Sequence, residues 1–232
     1  MSEAYQGEAY PTAAYPTVVV NGTLVEPLSR WLWIFKWLLA IPHFIVLAFL
    51  WLGMFISVWI VLIASIFTRT YPRALYDYNL GVLRWTWRVE YYSYSVLGTD
   101  KYPPFSFGEY PRYPATLYVG PAPEISFGKA IRNWVYVIPH LFIVSVLTSG
   151  IAWTFGDNHR ADYATGLISI LTLIVGLALL FIGRYPKGLF DLLMGLHRWI
   201  YRALAYGAFM TMDYPPYRLD QGGLDPAATV QF

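Results

Sequence analysis

The chain writes one unit twice. Tyr71-Pro72-Arg73-Ala74-Leu75-Tyr76-Asp77 returns 114 residues later as Tyr185-Pro186-Lys187-Gly188-Leu189-Phe190-Asp191, and the match continues through Gly81/Gly195, Arg84/Arg198, Trp85/Trp199, Arg88/Arg202 and Tyr92/Tyr206. Ile-Pro-His precedes each copy, at 41–43 and 138–140, and Tyr-Pro-Pro follows each, at 102–104 and 214–216. A repeat of this kind sets the architecture before any local pattern is weighed.

Neither half suits water. Of 232 residues 57% are hydrophobic, 19% aromatic and only 13% charged, about half the charged share of a soluble domain. This composition predicts an all-α integral membrane protein. A net charge of +2 gives no reason to expect nucleic acid as a partner, and the absence of cysteine excludes disulfides and thiolate chemistry. No Lys or Arg precedes Arg30, so no basic-start leader is expected.

From Trp31 to Phe67 the only charge is Lys36. As one straight helix this run would reach roughly 55 Å, against about 30 Å of hydrocarbon. A tight hairpin turning near Gly53 fits that thickness better. In the second copy, the apolar runs 131–148 and 167–182 are separated by a polar insertion. Four transmembrane helices are therefore expected, at about 31–50, 54–69, 130–149 and 166–183, as two tandem hairpin repeats. Two like-oriented hairpins imply a pseudo-twofold axis along the membrane normal. Of sixteen Lys and Arg only Arg160 falls in a hairpin tip. The positive-inside rule then puts both termini in the cytoplasm.

After each hairpin the pattern becomes amphipathic, with Arg73, Asp77, Arg84 and Arg88 matched by Lys187, Asp191, Arg198 and Arg202. Two arginines and an aspartate are costly inside a bilayer, so these segments are expected as interfacial helices. Short cytoplasmic β-strands are predicted at 15–22 and 113–120, pairing either with each other or with residues near 92–98 and 206–212. The resulting organisation is a tail (1–14), a first repeat (15–105), a linker (106–112), a second repeat (113–217) and a C-terminal tail (218–232).

The order Ile41-Pro42-His43, Tyr71-Pro72, Arg84-Trp85-x-x-Arg88 and Thr99-Asp100-Lys101-Tyr102-Pro103-Pro104-Phe105 resembles the bacterial membrane family known as domain of unknown function 4389, as two tandem units spanning Tyr15 to Tyr217. The second unit departs from it at Asp213-Tyr214-Pro215-Pro216-Tyr217, which lacks the basic residue, and at Gly188 in place of Ala74. The resemblance implies a multi-pass protein of the bacterial cytoplasmic (inner) membrane and implies no established activity.

Two constellations are candidates for function. His43 and His140 fall near the bilayer midplane of their expected spans, where an ionisable residue is a functional hypothesis. They could oppose each other across the axis as axial ligands of a b-type haem. The competing reading is a structural proline kink whose freed carbonyl the adjacent imidazole N–H satisfies, and with one histidine per half a metal site would be under-ligated, so no metal is assigned. The duplicated stripes Arg73, Asp77, Arg84, Arg88 and Lys187, Asp191, Arg198, Arg202 could bind anionic lipid headgroups; alternatively Arg73–Asp77 and Lys187–Asp191 pair at i,i+4, while Arg84, Arg88, Arg198 and Arg202 pair with Asp77, Asp191, Glu90 or helix-end carbonyls and lock the repeats together. His159, between Asp157 and Asp162, reads as a polar loop residue. Gly81 and Gly195 could allow helices to approach closely.

With no phosphate-binding loop, activated nucleophile or paired catalytic carboxylates, the expected function is non-enzymatic, with no catalytic residues and no cofactor. The chain reads as an accessory or assembly subunit of a larger membrane complex, its partners being membrane lipids and other membrane protein subunits. The alternative is a lipid-binding or small-solute transport module using the arginine stripes and the two histidines.

Overall fold

The computed structural model describes residues 17–149 and 166–221. The expectations for the first sixteen residues, the outer loop with Asp157, His159, Arg160 and Asp162, and the end of the chain lie outside the described residues. The elements run β1 (Val18–Gly22), α1 (Leu32–Phe67), α2 (Arg73–Tyr92), β2 (Ala115–Val119), α3 (Phe127–Ser149), α4 (Leu167–Phe181) and α5 (Lys187–Gly207).

The first expected hairpin does not form. α1 is one uninterrupted helix of 36 residues, about 54 Å long. A turn at Gly53 would free several backbone groups in an apolar run whose nearest polar side chain is Ser57, whereas a helical glycine costs only about 1 kcal/mol. Gly53 serves packing instead: a Cβ there would collide with the Tyr78 hydroxyl of α2, which donates to the Leu50 carbonyl at 2.9 Å.

The second expected hairpin is also replaced. Trp59 of α1 meets Trp134 near the start of α3, with ring centroids 4.9 Å apart, and Ile125 N–H donates to the Arg69 carbonyl at 3.0 Å. At the other end, Trp33 of α1 lies against Gly176 of α4, and Arg30 lies against Gly183. α3 and α4 therefore follow each other end to end along α1, antiparallel to it. Their 23 and 15 residues match the length of α1. The second repeat is the same long rod, interrupted by the insertion. Two helices, α1 and α3, are long and apolar enough to cross a membrane, where four spans were expected.

These rods form one layer. α1 buries a narrow stripe that includes Lys36, Ala40, His43, Leu47, Met54, Ser57, Val61 and Ser65, whose three-, four- and seven-residue steps keep to one helical face. The rest of its surface, from Trp31 to Phe67, is exposed and apolar. α2 and α5 form the second layer, packed under the rods and against each other, with Trp87 and Tyr201 rings 5.5 Å apart.

β1 and β2 form the third layer and pair with each other, antiparallel, with Val20 opposite Leu117 at the centre of the ribbon. Those two residues are equivalent in the repeat, so the pseudo-twofold passes between them. Two reciprocal bonds close the duplication: Tyr71 donates to the Ala208 carbonyl at 3.2 Å and Tyr185 donates to the Val96 carbonyl at 2.5 Å. A buried left-handed residue follows each of α2 and α5, Leu97 (φ 58°) and Phe209 (φ 61°). That turn lets Gly98 N–H reach back to the Tyr91 carbonyl and Met210 N–H to the Ala205 carbonyl, both at 2.9 Å.

Candidate functional site

The three duplicated motifs converge, once per repeat, on a histidine. His43 is fully buried, and its Nδ1 accepts a hydrogen bond from Trp85 Nε1–H at 3.0 Å. An indole nitrogen can only donate, so the imidazole is neutral and carries its proton on Nε2. Phe105 stacks on the ring with centroids 3.9 Å apart at 16°, and Tyr102 lies at 4.9 Å. The second repeat rebuilds this box. Trp199 Nε1–H donates to His140 Nδ1 at 2.9 Å, Tyr217 stacks at 4.3 Å and 14°, and Tyr214 lies at 5.0 Å.

Each box is closed by residues of its own repeat. Both Nδ1 atoms are engaged as acceptors, and one face of each ring is covered by a stacked side chain. The two imidazoles thus sit in separate aromatic surroundings rather than opposing each other across a shared haem site. Among the described residues no cluster of three or more His, Asp or Glu could hold a metal ion. The kink reading needs revision too. Tyr102, not His43, reaches the helix turn opened by Pro42, donating to the Leu39 carbonyl at 3.0 Å.

The duplicated arginines turn inward. Arg88 donates to the carbonyls of Gly108 (2.8 Å) and Ser106, and Arg202 to those of Asp220 (2.8 Å) and Arg218 (2.9 Å). These are the same two bonds in each repeat, and they clamp the chain just beyond the Tyr-Pro-Pro motif over its histidine. Both guanidinium groups are buried, which pushes Arg202 down to about 10. Arg84 and Arg198 reach the ribbon centre, donating to the Leu117 (3.1 Å) and Val20 (3.4 Å) carbonyls. Arg84 also pairs with Glu109.

Among the described residues none of these arginines pairs with Asp77, Asp191 or Glu90, because buried carbonyls compete for the same donors. Arg73 and Asp77 form the i,i+4 pair at 3.9 Å, 94% and 65% exposed. Lys187 and Asp191 are exposed and form no ion pair among the described residues.

The clamps hold residues 106–108 and 218–220, just beyond each Tyr-Pro-Pro motif. Gly81 and Gly195 are part of them. A Cβ at either would strike Phe107 or Leu219, so these glycines admit the returning chain rather than another helix.

Two buried polar contacts carried no signal in the repeat. Lys36 is buried, pairs with Asp100 at 2.9 Å, donates to the Thr99 carbonyl at 2.7 Å and lies over the Tyr92 ring. Glu90 accepts from Tyr201 at 2.7 Å across the interface between repeats, and burial pushes its carboxyl up to about 7. The lone charge in an apolar run was the one available clue to Lys36.

These elements define an internally duplicated, mostly helical protein with two helices of membrane-crossing length and apolarity. It belongs to the family described as Domain of unknown function (DUF4389), whose model matches residues 30–106 and 162–218 as two units. No curated protein and no solved structure matches the chain.

Proposed function

We propose that the chain is a non-enzymatic protein of the bacterial cytoplasmic membrane that serves as an accessory or assembly subunit of a larger membrane complex. One observation carries this reading. In both repeats histidine Nδ1 is held by tryptophan and the clamping arginine by backbone carbonyls. What remains presented outward is surface, an apolar helical layer on one side and, on the ribbon side, a mixed one that exposes Tyr118 beside charged groups such as Glu109.

Thr17 and Gln221 both bond at the ribbon side, Thr17 to Asp213 and Gln221 to the Val20 carbonyl. This supports one cytoplasmic side, the ribbon side, where soluble segments of a partner could meet it. The lipid reading is favoured at the exposed Arg73 and Lys187 rather than at the clamped arginines. Solute passage has less support, because its two imidazole waypoints occupy separate boxes.

Cross-linking in native membranes, followed by mild-detergent affinity purification, tests the subunit role. A reproducible, stoichiometric protein partner supports it. A chain recovered alone from cross-linked membranes argues against it.

A further inference from the structure

The rod layer has a geometry that a spanning protein does not need. α1 exposes apolar side chains along its entire length, including Phe35, Phe49 and Phe67. Yet water-seeking groups accompany it from end to end on the opposite side. Residues 99–105 run along α1 from Lys36 to His43. Glu109 is 64% exposed beside Arg84 at the middle of α2, and Arg73 and Asp77 stand open toward the far end of α1. Standing α1 upright would place some of these charges inside roughly 30 Å of hydrocarbon, wherever along the helix that slab is drawn.

The symmetry points the same way. A twofold that relates antiparallel rods runs perpendicular to them. If the rods spanned, the repeats would be inverted, and the basic residues would divide between the two membrane faces: Arg30, Arg184 and Lys187 at one end, and Arg69, Arg73 and Lys129 at the other, all exposed. Laid flat, the rods put every one of these cations at a single surface, in keeping with the positive-inside rule. The basic residues outnumber the acids at their ends, Glu26 and Asp191 at one and Glu124 and Asp77 at the other. A second copy stacked on the apolar face would bring two basic rims together, whereas headgroup phosphates complement them.

We propose that α1, α3 and α4 lie in the membrane plane, sunk into one leaflet with their apolar faces toward the acyl chains, and that they cross nowhere. α2, α5 and the ribbon then stand on the cytoplasmic side as a platform. The inference rests on the membrane location above and replaces its expected topology.

The chain has no cysteine, so single cysteines report without background. Glu26→Cys marks one end of the rods and Glu124→Cys the other, both exposed. An impermeant maleimide is expected to label both in inverted membrane vesicles and neither in intact spheroplasts. Labelling of one variant from each side would overturn the in-plane arrangement while leaving membrane residence intact. Release of the unmodified chain by alkaline carbonate would overturn membrane residence as well.

A depth measurement stands apart from these variants. Fluorophores on Phe35→Cys, Phe49→Cys and Phe67→Cys, in vesicles of phosphatidylglycerol and phosphatidylcholine, are expected to be quenched by the same shallow class of brominated lipid. A Phe49 probe quenched at the bilayer centre, with the other two shallow, would overturn the proposal.

Discussion

The first turns of the two rods solve one problem with different chemistry. In the first repeat Lys36 donates to the Thr99 carbonyl and pairs with Asp100. In the second, Asn133 stands at the equivalent place and donates to the Thr211 carbonyl at 3.2 Å, and the position of Asp100 is taken by Met212, whose sulfur lies 3.6 Å from the same amide nitrogen. The carbonyl after each helix must be satisfied in both repeats, but a buried cation needs a counter-ion and an amide does not. The two positions have changed together, ion pair in one repeat and neutral pair in the other. The duplicated fold therefore specifies the hydrogen bond and leaves the charge free.

The largest expected effect separates these two solutions. Asp100→Ala leaves the buried Lys36 ammonium without its partner and should cost about 3 kcal/mol, read as a lowered midpoint of thermal unfolding in detergent. Installing the second repeat's pair, Lys36→Asn with Asp100→Met, should recover most of that loss. A double variant no more stable than Asp100→Ala would break the equivalence.

The histidine boxes, by contrast, are alike, and so should respond alike. Trp85→Phe and Trp199→Phe each strand a buried imidazole nitrogen, at a cost of about 2 kcal/mol. Unequal losses in the same assay would mean that one box bears more of the fold than the other.

The smallest difference is at the interface between repeats, where Glu90 in α2 has Leu204 as its counterpart in α5. The Glu90 carboxyl is raised to about 7 by burial, with the Tyr201 hydrogen bond pulling the other way. A raised carboxyl favours the folded chain while protonated. Its stabilisation is complete below the ordinary carboxylate range and is lost as pH rises from about 4.5 to about 7. Partial exposure of the side chain reduces the effect to about 1 to 2 kcal/mol. Unfolding midpoints from pH 5 to 8 should fall with pH in the native chain and stay level in Glu90→Gln. Parallel slopes in the two proteins would remove Glu90 as the cause.

Much of the site was legible because a repeat preserves what packing requires. Ile-Pro-His, Arg-Trp-x-x-Arg and Tyr-Pro-Pro stand far apart in the chain, and their common recurrence marked them as parts of one structure before their contacts were known. Their roles were less legible. An arginine on an amphipathic helix looks the same whether it faces a phosphate or a carbonyl. Headgroups, carboxylates and helix-end carbonyls all suit Arg88 and Arg202 equally well in sequence, and both clamp carbonyls of the returning chain instead. Lys36–Asp100 and Glu90–Tyr201 were invisible to the repeat, because their counterparts are Asn133, Met212 and Leu204.

By itself, the sequence determined the duplication, the apolar character of the rods, the two strands and the residues that gather in each box. All of these follow from residue type and spacing, which act locally. Only the tertiary structure decided that Gly53 continues a helix, that α3 and α4 lie end to end, and that the two rods run antiparallel. An apolar run is equally content beside lipid or beside another helix, so hydrophobicity alone could not choose between turning back and running on. The choice was made by what lies beneath the rods: Tyr78 filling the space at Gly53 and the reciprocal Tyr71 and Tyr185 bonds between repeats.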